Sequence, residues 1–372
     1  VDALNPDQPF FVYYAPGATH APHHPTPEWI DKISEMNLFD KGWHELRKTI
    51  FANQKKLGVL PKDAKLTPWP DDLIKHWDEL SEVERKLFIK QADVFAAYVA
   101  YTDHEIGRVV QAVDDLGKLD NTLIIYITGD NGTSSEGGPT GTPNEVASVQ
   151  GVHLPAEAMM KYYDVWGSDQ TYPHMSVGWT WAFGTPFSWT KMVSSHFGGT
   201  KQGTVISWPK VIKDKGGVRN QFHHVVDIAP TILEATGIPL PEEIDGIEQT
   251  PMDGVSMLYT FDKKNADAPS THKTQYFEMI GDRAIYHDGW ILSTKVMRVP
   301  WDNSGTADKD PASWPWELYD LSKDWTQFND VAAQYPEKVK EMEKLFWAEA
   351  DRNQVLPMDT TTFTRSLLPR PN

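Results

Sequence analysis

The stretch that decides the fold is Asn121–Gly138, NTLIIYITGDNGTSSEGG. Its apolar, β-branched run, Leu123, Ile124, Ile125, Tyr126 and Ile127, reads as a buried-type strand that stops at Gly129-Asp130-Asn131-Gly132. Two readings stand open. Asn-Gly is the strongest short-range turn signal. Alternatively, Asp130 and Asn131 at a strand's carboxyl end point oxygen ligands into the crevice where α/β folds place ligands. Oxygen-only donors suit a hard cation such as Ca²⁺ or Mg²⁺, but two are too few for Ca²⁺, so further carboxylates are required. The sequon Asn131-Gly132-Thr133 overlaps this pair and is a chance match.

Working outward, Ser81–Leu116 is helical in pattern. Phe88, Ala92, Phe95 and Val99 follow three- and four-residue spacing, as do Ile106, Val109, Val110 and Val113, and Gly117 is the natural stop. Near the N-terminus, Phe10 to Tyr14 reads as a short strand, broken by Pro and Gly into a loop carrying His20, His23 and His24. Residues 133–190 are long, Gly-, Pro- and Trp-rich and weakly periodic, the pattern of a functional insertion or lid. Gly203 to Ile212 reads as a further strand. A helix is entered at Asp227, with Pro230 in its first turn and Gly237 as its stop. Strand–helix alternation of this kind indicates α/β with a large, mixed, mostly parallel sheet flanked by helices.

From about Pro269 the character changes. Alternating strands surround Asp288-Gly289, a hairpin signal, and an amphipathic helix closes the chain. The expected division is therefore residues 1–268 as the larger unit and 269–372 as a small antiparallel α+β subdomain.

Charge and composition exclude several classes. The 372 residues carry a formal net charge of -17, which disfavours nucleic acid as a partner. There is no cysteine, so disulfides, zinc–thiolate sites and a cysteine nucleophile within this chain are ruled out. No apolar run is long enough for a membrane span. The N-terminus has no initiator Met and none of the regions of a signal peptide, the pattern of a processed or truncated chain. Walker, Gly-x-Gly-x-x-Gly, Gly-x-Ser-x-Gly and His-Glu-x-x-His motifs are all missing.

Several side chains could carry chemistry. His20 lies just past the first strand and can donate to a leaving group or bind an anionic oxygen. Lys191 sits among Phe187, Trp189, Met192 and Val193, where a cation either snorkels or serves as a point charge for an oxyanion. The Gly198-Gly199 pair permits close backbone approach. His196, Lys201, His223 and His224 complete the set, the last two more suited to capping. Trp179 and Trp181 are either core or stacking surfaces for an aryl group or sugar ring, with His174 and His196 as added contacts.

Seven segments in order make the chain similar to the type I sulfatases, arylsulfatase-like branch, of the alkaline-phosphatase-like superfamily. They are PFFVYYAPGATHAPHHP, AAYVAYTDHEIGRVVQAV, TLIIYITGDNGTSSEGG, FSWTKMVSSHFGGTKQGTVISWPKVI, HHVVDIAPTILEATGI, MDGVSM and WELYDLSKDWTQFNDVAAQYPEKV. The resemblance implies hydrolysis of a sulfate ester of an aryl group or sugar. In it, Asp130 and Asn131 match two ligands of a divalent cation (Ca²⁺, or Mg²⁺). His20 matches the histidine that assists leaving-group departure, and Lys191 the lysine that binds a sulfate oxygen. The family's nucleophile, a formylglycine in a Cys/Ser-x-Pro/Ala-x-Arg motif, has no counterpart here, and neither do two further acidic metal ligands. The expectation is therefore the C-terminal part of a sulfatase, inactive alone and completed by the N-terminal half of the same protein. Two alternatives are a phosphodiester or phosphonate monoester hydrolase of the same superfamily, and a non-catalytic binding module. Family habit implies a periplasmic or secreted location.

Overall fold

The computed structural model describes residue 5 and residues 8–302 and 310–361. Helix α1 (Pro27–Ser34) and helix α2 (Gly42–Leu57) precede the long α3 (Glu82–Asp115). The start of α3 is set by a reciprocal cap: Ser81 Oγ accepts from Glu84 N at 3.1 Å, and Glu84 Oε2 accepts from Ser81 N at 2.8 Å. Its inner face buries Leu87, Phe88, Ala92, Val94 and Ala97. Replacing Ser81 by Ala is expected to cost about 1 kcal/mol, seen as a lower midpoint in denaturant unfolding; an unchanged midpoint would mean that packing alone holds this helix end.

The core of the larger region is aromatic. Trp43 of α2 meets Trp179 of α4 (Val177–Phe183) edge-on at 5.7 Å, and Phe88 stacks on Trp43 at 6.0 Å. The approach of α2 to α4 needs Gly178, because a Cβ there would lie 2.4 Å from the Trp43 ring. Residues 133–190 are accordingly no loose lid. They thread Met159, Trp166, Met175, Val177 and Trp179 into the core.

Strand β1 (Ile124–Ile127) pairs antiparallel with β2 (Thr204–Ser207), Ile125 opposite Ile206. The α/β class stands, but the large, mostly parallel sheet is not assembled among the described residues. Phe10 to Tyr14 has strand composition yet forms no ladder there, and Phe11 and Tyr13 are 73% and 84% exposed. Apolar alternation specifies a strand only when a neighbour takes up its backbone N–H and C=O groups. Helix α5 (Ile228–Thr236) follows a single 3-10 turn at Val225–Asp227 and ends at Gly237, φ 68°.

The C-terminal subdomain is a meander of β3 (Thr274–Met279), β4 (Asp282–His287), β5 (Trp290–Thr294) and β6 (Trp316–Asp320), antiparallel throughout and covered by α6 (Pro336–Arg352). Asp288 (φ 43°) and Gly289 (φ 85°) both take the left-handed conformation that a two-residue hairpin of this twist requires. Ile285, Leu292, Leu318, Met342 and Phe346 form its own core. A second cluster, Phe197 with Ala284, Ile291 and Tyr319, joins it to the larger region.

Candidate active site

The loop leaving β1 and the segment 188–200 are locked together by backbone. Gly132 N donates to Gly199 O at 2.9 Å, and Lys191 N donates to Thr133 O at 3.1 Å. A Cβ on Gly132 would stand 1.8 Å from Gly198 O, so no side chain fits at this crossing. Lys191 is flanked closely by Trp189 at φ 70° and Met192 at φ 74°. Non-glycine residues in that region cost of order 1–3 kcal/mol each, so the surrounding structure must hold them.

Lys191 and His20, 171 positions apart, meet here: Lys191 Nζ lies 3.1 Å from His20 Nε2. The ammonium also donates to Glu136 Oε2 at 2.9 Å. A lysine carries three N–H donors, so one is left without a partner among the described residues. His20 Nδ1 faces the Ala21 carbonyl at 2.9 Å, and a carbonyl only accepts, so Nδ1 carries a proton. The neutral ring therefore turns its lone pair at Nε2 toward Lys191, and the charged ring offers a second N–H there.

Glu136 and, behind it, Glu145 carry no assigned role in the sequence reading. Burial pushes the Glu136 carboxyl up, but Lys191 outweighs it and holds the group below the usual carboxylate range. Glu145 opens the short helix Glu145–Val149 and is 6% exposed, and its Oε1 has no hydrogen-bond partner. Burial, then the charge of Glu136, raises it to about 7. His20, Glu136 and Glu145 bring ligand atoms within 4.8 Å of one another, an arrangement able to hold a cation. The ammonium of Lys191 already supplies positive charge to two of the three. The only signal for Glu136 in the sequence is its place in Ser134-Ser135-Glu136-Gly137-Gly138; for Glu145 there is none.

Asp130 and Asn131 lie on the same loop. The Asp130 carboxylate is exposed and makes no hydrogen bond or ion pair among the described residues. Asn131 Nδ2 donates to Gly132 O at 2.9 Å, and its Oδ1 has no hydrogen-bond partner among the described residues. Both thus present uncommitted oxygens, the donor set that fits a hard divalent cation.

His174 lies close to this cluster, near enough for the charges of Glu136, Lys191 and His20 to act on it, whereas the other candidates are placed elsewhere. His174 is buried, with Nδ1 on the Met175 carbonyl at 3.0 Å, and burial lowers it to about 4. His196 is also buried, 2.9 Å from Ser195 Oγ and 3.4 Å from Glu317 Oε2 of β6. Trp179 and Trp181 are core residues, Trp179 donating to Phe88 O at 2.7 Å. Lys201 rests on the Trp325 ring at 3.5 Å, with Phe197 beside it. His223 serves Asp227 at 2.8 Å, and His224 caps the 3-10 turn.

The family model for sulfatases matches residues 1–238. An uncharacterized sulfatase of Schizosaccharomyces pombe is 28% identical over 339 residues, 90% of this chain and 56% of that protein. An arylsulfatase of Klebsiella aerogenes is 26% identical over 287 residues, 76% of this chain and 56% of that protein. Among solved structures, Ps i-CgsB in complex with k-i-k-neocarrahexaose superposes with a TM-score of 0.54 at 18% identity, covering 98% of this chain and 55% of that chain. That likeness bears on the fold. The chain spans just over half the length of these relatives.

Proposed function

This chain belongs to the sulfatase family, and we propose that the full-length protein of which it forms part hydrolyses sulfate esters, with Lys191 and His20 in direct contact with the sulfate group. The observation that carries this reading is the convergence of Lys191 Nζ and His20 Nε2 at 3.1 Å from positions 171 residues apart, with one ammonium N–H uncommitted among the described residues. A sulfuryl group in transfer gathers negative charge on its peripheral oxygens, which a fixed ammonium stabilises. His20, once protonated at Nε2, donates to the ester oxygen as the alcohol leaves. Glu136 fixes the ammonium in place and keeps the pocket from an excess of positive charge.

In the same reading Asp130 and Asn131 hold a Ca²⁺ or Mg²⁺ ion together with ligands from outside this chain. When bound, that ion neutralises charge on the ester oxygens. A formylglycine nucleophile, and export to the periplasm or outside the cell, belong to this reading through the family alone. The substrate is a small aryl or sugar sulfate. Among the described residues no helix is long and apolar enough to cross a membrane.

The test is a Ca²⁺ titration of nitrophenyl sulfate turnover by the full-length protein after chelation. Turnover should vanish with the chelator and return with the ion, and Asp130→Ala should raise the Ca²⁺ needed for half-activity on the order of tenfold or more. Identical titrations for the variant and the parent would remove Asp130 from the metal site. Faster turnover of the matching phosphate ester would move the assignment to phosphoryl transfer.

A further inference from the structure

The segment that carries Lys191 is gripped from its far side by the C-terminal subdomain. Arg298, 6% exposed, donates through Nη2 to the Met192 carbonyl at 3.4 Å. The same guanidinium stands 3.6 Å from the buried Asp282 carboxylate at the start of β4. Ser194 Oγ donates to the Asp282 carbonyl at 2.5 Å. Gln327, 5% exposed, accepts from Phe197 N at 2.8 Å through Oε1 and donates from Nε2 to Ser195 O at 3.2 Å and to Ser293 Oγ of β5 at 3.1 Å. Its amide thereby bridges the segment and the sheet.

Any buried amide must find partners, so satisfied hydrogen bonds alone mean only that the interface is well made. The distribution is what points further. Four of these bonds end on residues 192–197, which begin directly after Lys191 and include Met192 in its left-handed conformation. The other end of the same turn is held by Thr133, from the loop that bears Asp130 and Asn131. A loop with two left-handed non-glycine residues has a lower-strain alternative unless it is pinned on both sides.

We infer that Arg298 and Gln327 are positioning residues of the active site: the C-terminal subdomain holds the 189–197 turn in the conformation that aims the Lys191 ammonium at His20 and Glu136. Neither residue touches the reacting group. They act through Lys191, and the inference rests on the role given to Lys191 above. Loss of either pin lets the turn relax and withdraws the ammonium, and a displacement of about 1 Å in a positioning element can cost on the order of a hundredfold in rate.

The experiment is a double-mutant cycle in the full-length protein with nitrophenyl sulfate as substrate, combining Gln327→Met with Lys191→Ala. Gln327→Met should lower kcat/KM about tenfold or more in the parent, mainly through kcat, and should change it little in the Lys191→Ala background. Arg298→Lys, which keeps the charge beside Asp282 and a donor for Met192 O, should lose less than Arg298→Met and runs the same cycle if Gln327→Met does not fold. Equal losses in both backgrounds would overturn the inference while leaving Lys191 its role. No loss for Lys191→Ala by itself would remove the functional reading, and the positioning role with it.

Discussion

Lys191→Ala in the full-length protein is expected to lower kcat/KM for an aryl sulfate by roughly 10²–10³, the usual loss when one pre-oriented donor to a developing oxyanion is removed. The magnitude follows from the site's arrangement. The ammonium side chain is largely sheltered and is oriented by Glu136 Oε2 at 2.9 Å and His20 Nε2 at 3.1 Å, so it needs little reorganisation when the substrate arrives. Its removal also leaves Glu136 facing the incoming sulfate without its counter-charge, a like-charge penalty that adds to the lost attraction. Steady-state turnover with nitrophenyl sulfate measures it. Unchanged kcat/KM would mean that Lys191 is a snorkelling lysine and that the anion is held elsewhere.

The largest effect on stability is expected from Asp227→Ala. The Asp227 carboxylate is fully buried and receives His223 Nδ1 at 2.8 Å, His272 Nδ1 at 2.8 Å, Val255 N at 2.9 Å and His224 N at 3.0 Å. One side chain thus ties the start of α5 to residues 253–259 and to the strand entering the C-terminal sheet. Removing one member of a buried, hydrogen-bonded charge cluster typically costs about 3–5 kcal/mol, which differential scanning calorimetry of the full-length protein would register as a lowered Tm. A loss below about 1 kcal/mol would show that the histidines find other partners.

The pH dependence of this node has a defined sign. Burial pushes the Asp227 carboxyl up, but the His223 and His272 hydrogen bonds and the two backbone donors outweigh it and hold it well below the usual carboxylate range. Its stabilisation is therefore present above about pH 4, the unfolded value, and is lost as pH falls through the depressed folded value. Burial lowers His272, and Asp227 more than reverses this, so its folded value is raised. Its contribution is complete below about pH 6.5 and is lost as pH rises through that raised value. The pair should contribute most between those limits, and Asp227→Ala should flatten both flanks of the stability profile.

Local rules were enough for most elements. The Ser81/Glu84 cap, the 3.6-residue stripe of α3 and the Gly117 stop are short-range features, and the helix appears where they place it. The same holds for the Asp288-Gly289 hairpin and for α5 ended by Gly237. Order along the chain, rather than any single motif, pointed to the family to which the chain belongs. Legibility failed where burial or pairing depends on distant chain. Phe10 to Tyr14 is apolar enough for a strand, yet finds no partner among the described residues. Trp179 and Trp181, equally suited to core or ligand stacking, lie in the core, Trp179 because α4 packs against Trp43 of α2 and Trp181 because it packs with Ile74 and Trp301.

The candidate site divides in the same way. The residue types and positions of Asp130, Asn131, His20 and Lys191 were legible, since oxygen donors at a strand end and a lysine in an apolar segment carry their chemistry with them. Their company was not. Glu136, Glu145, Arg298 and Gln327 are common polar residues with little or no local signature, and they acquire a role only through contacts with residues 9 to 132 positions away. Sequence by itself determined which chemistry this chain can offer. The tertiary structure decided which groups surround it, because charge, desolvation and the aim of a lysine are properties of neighbours in space.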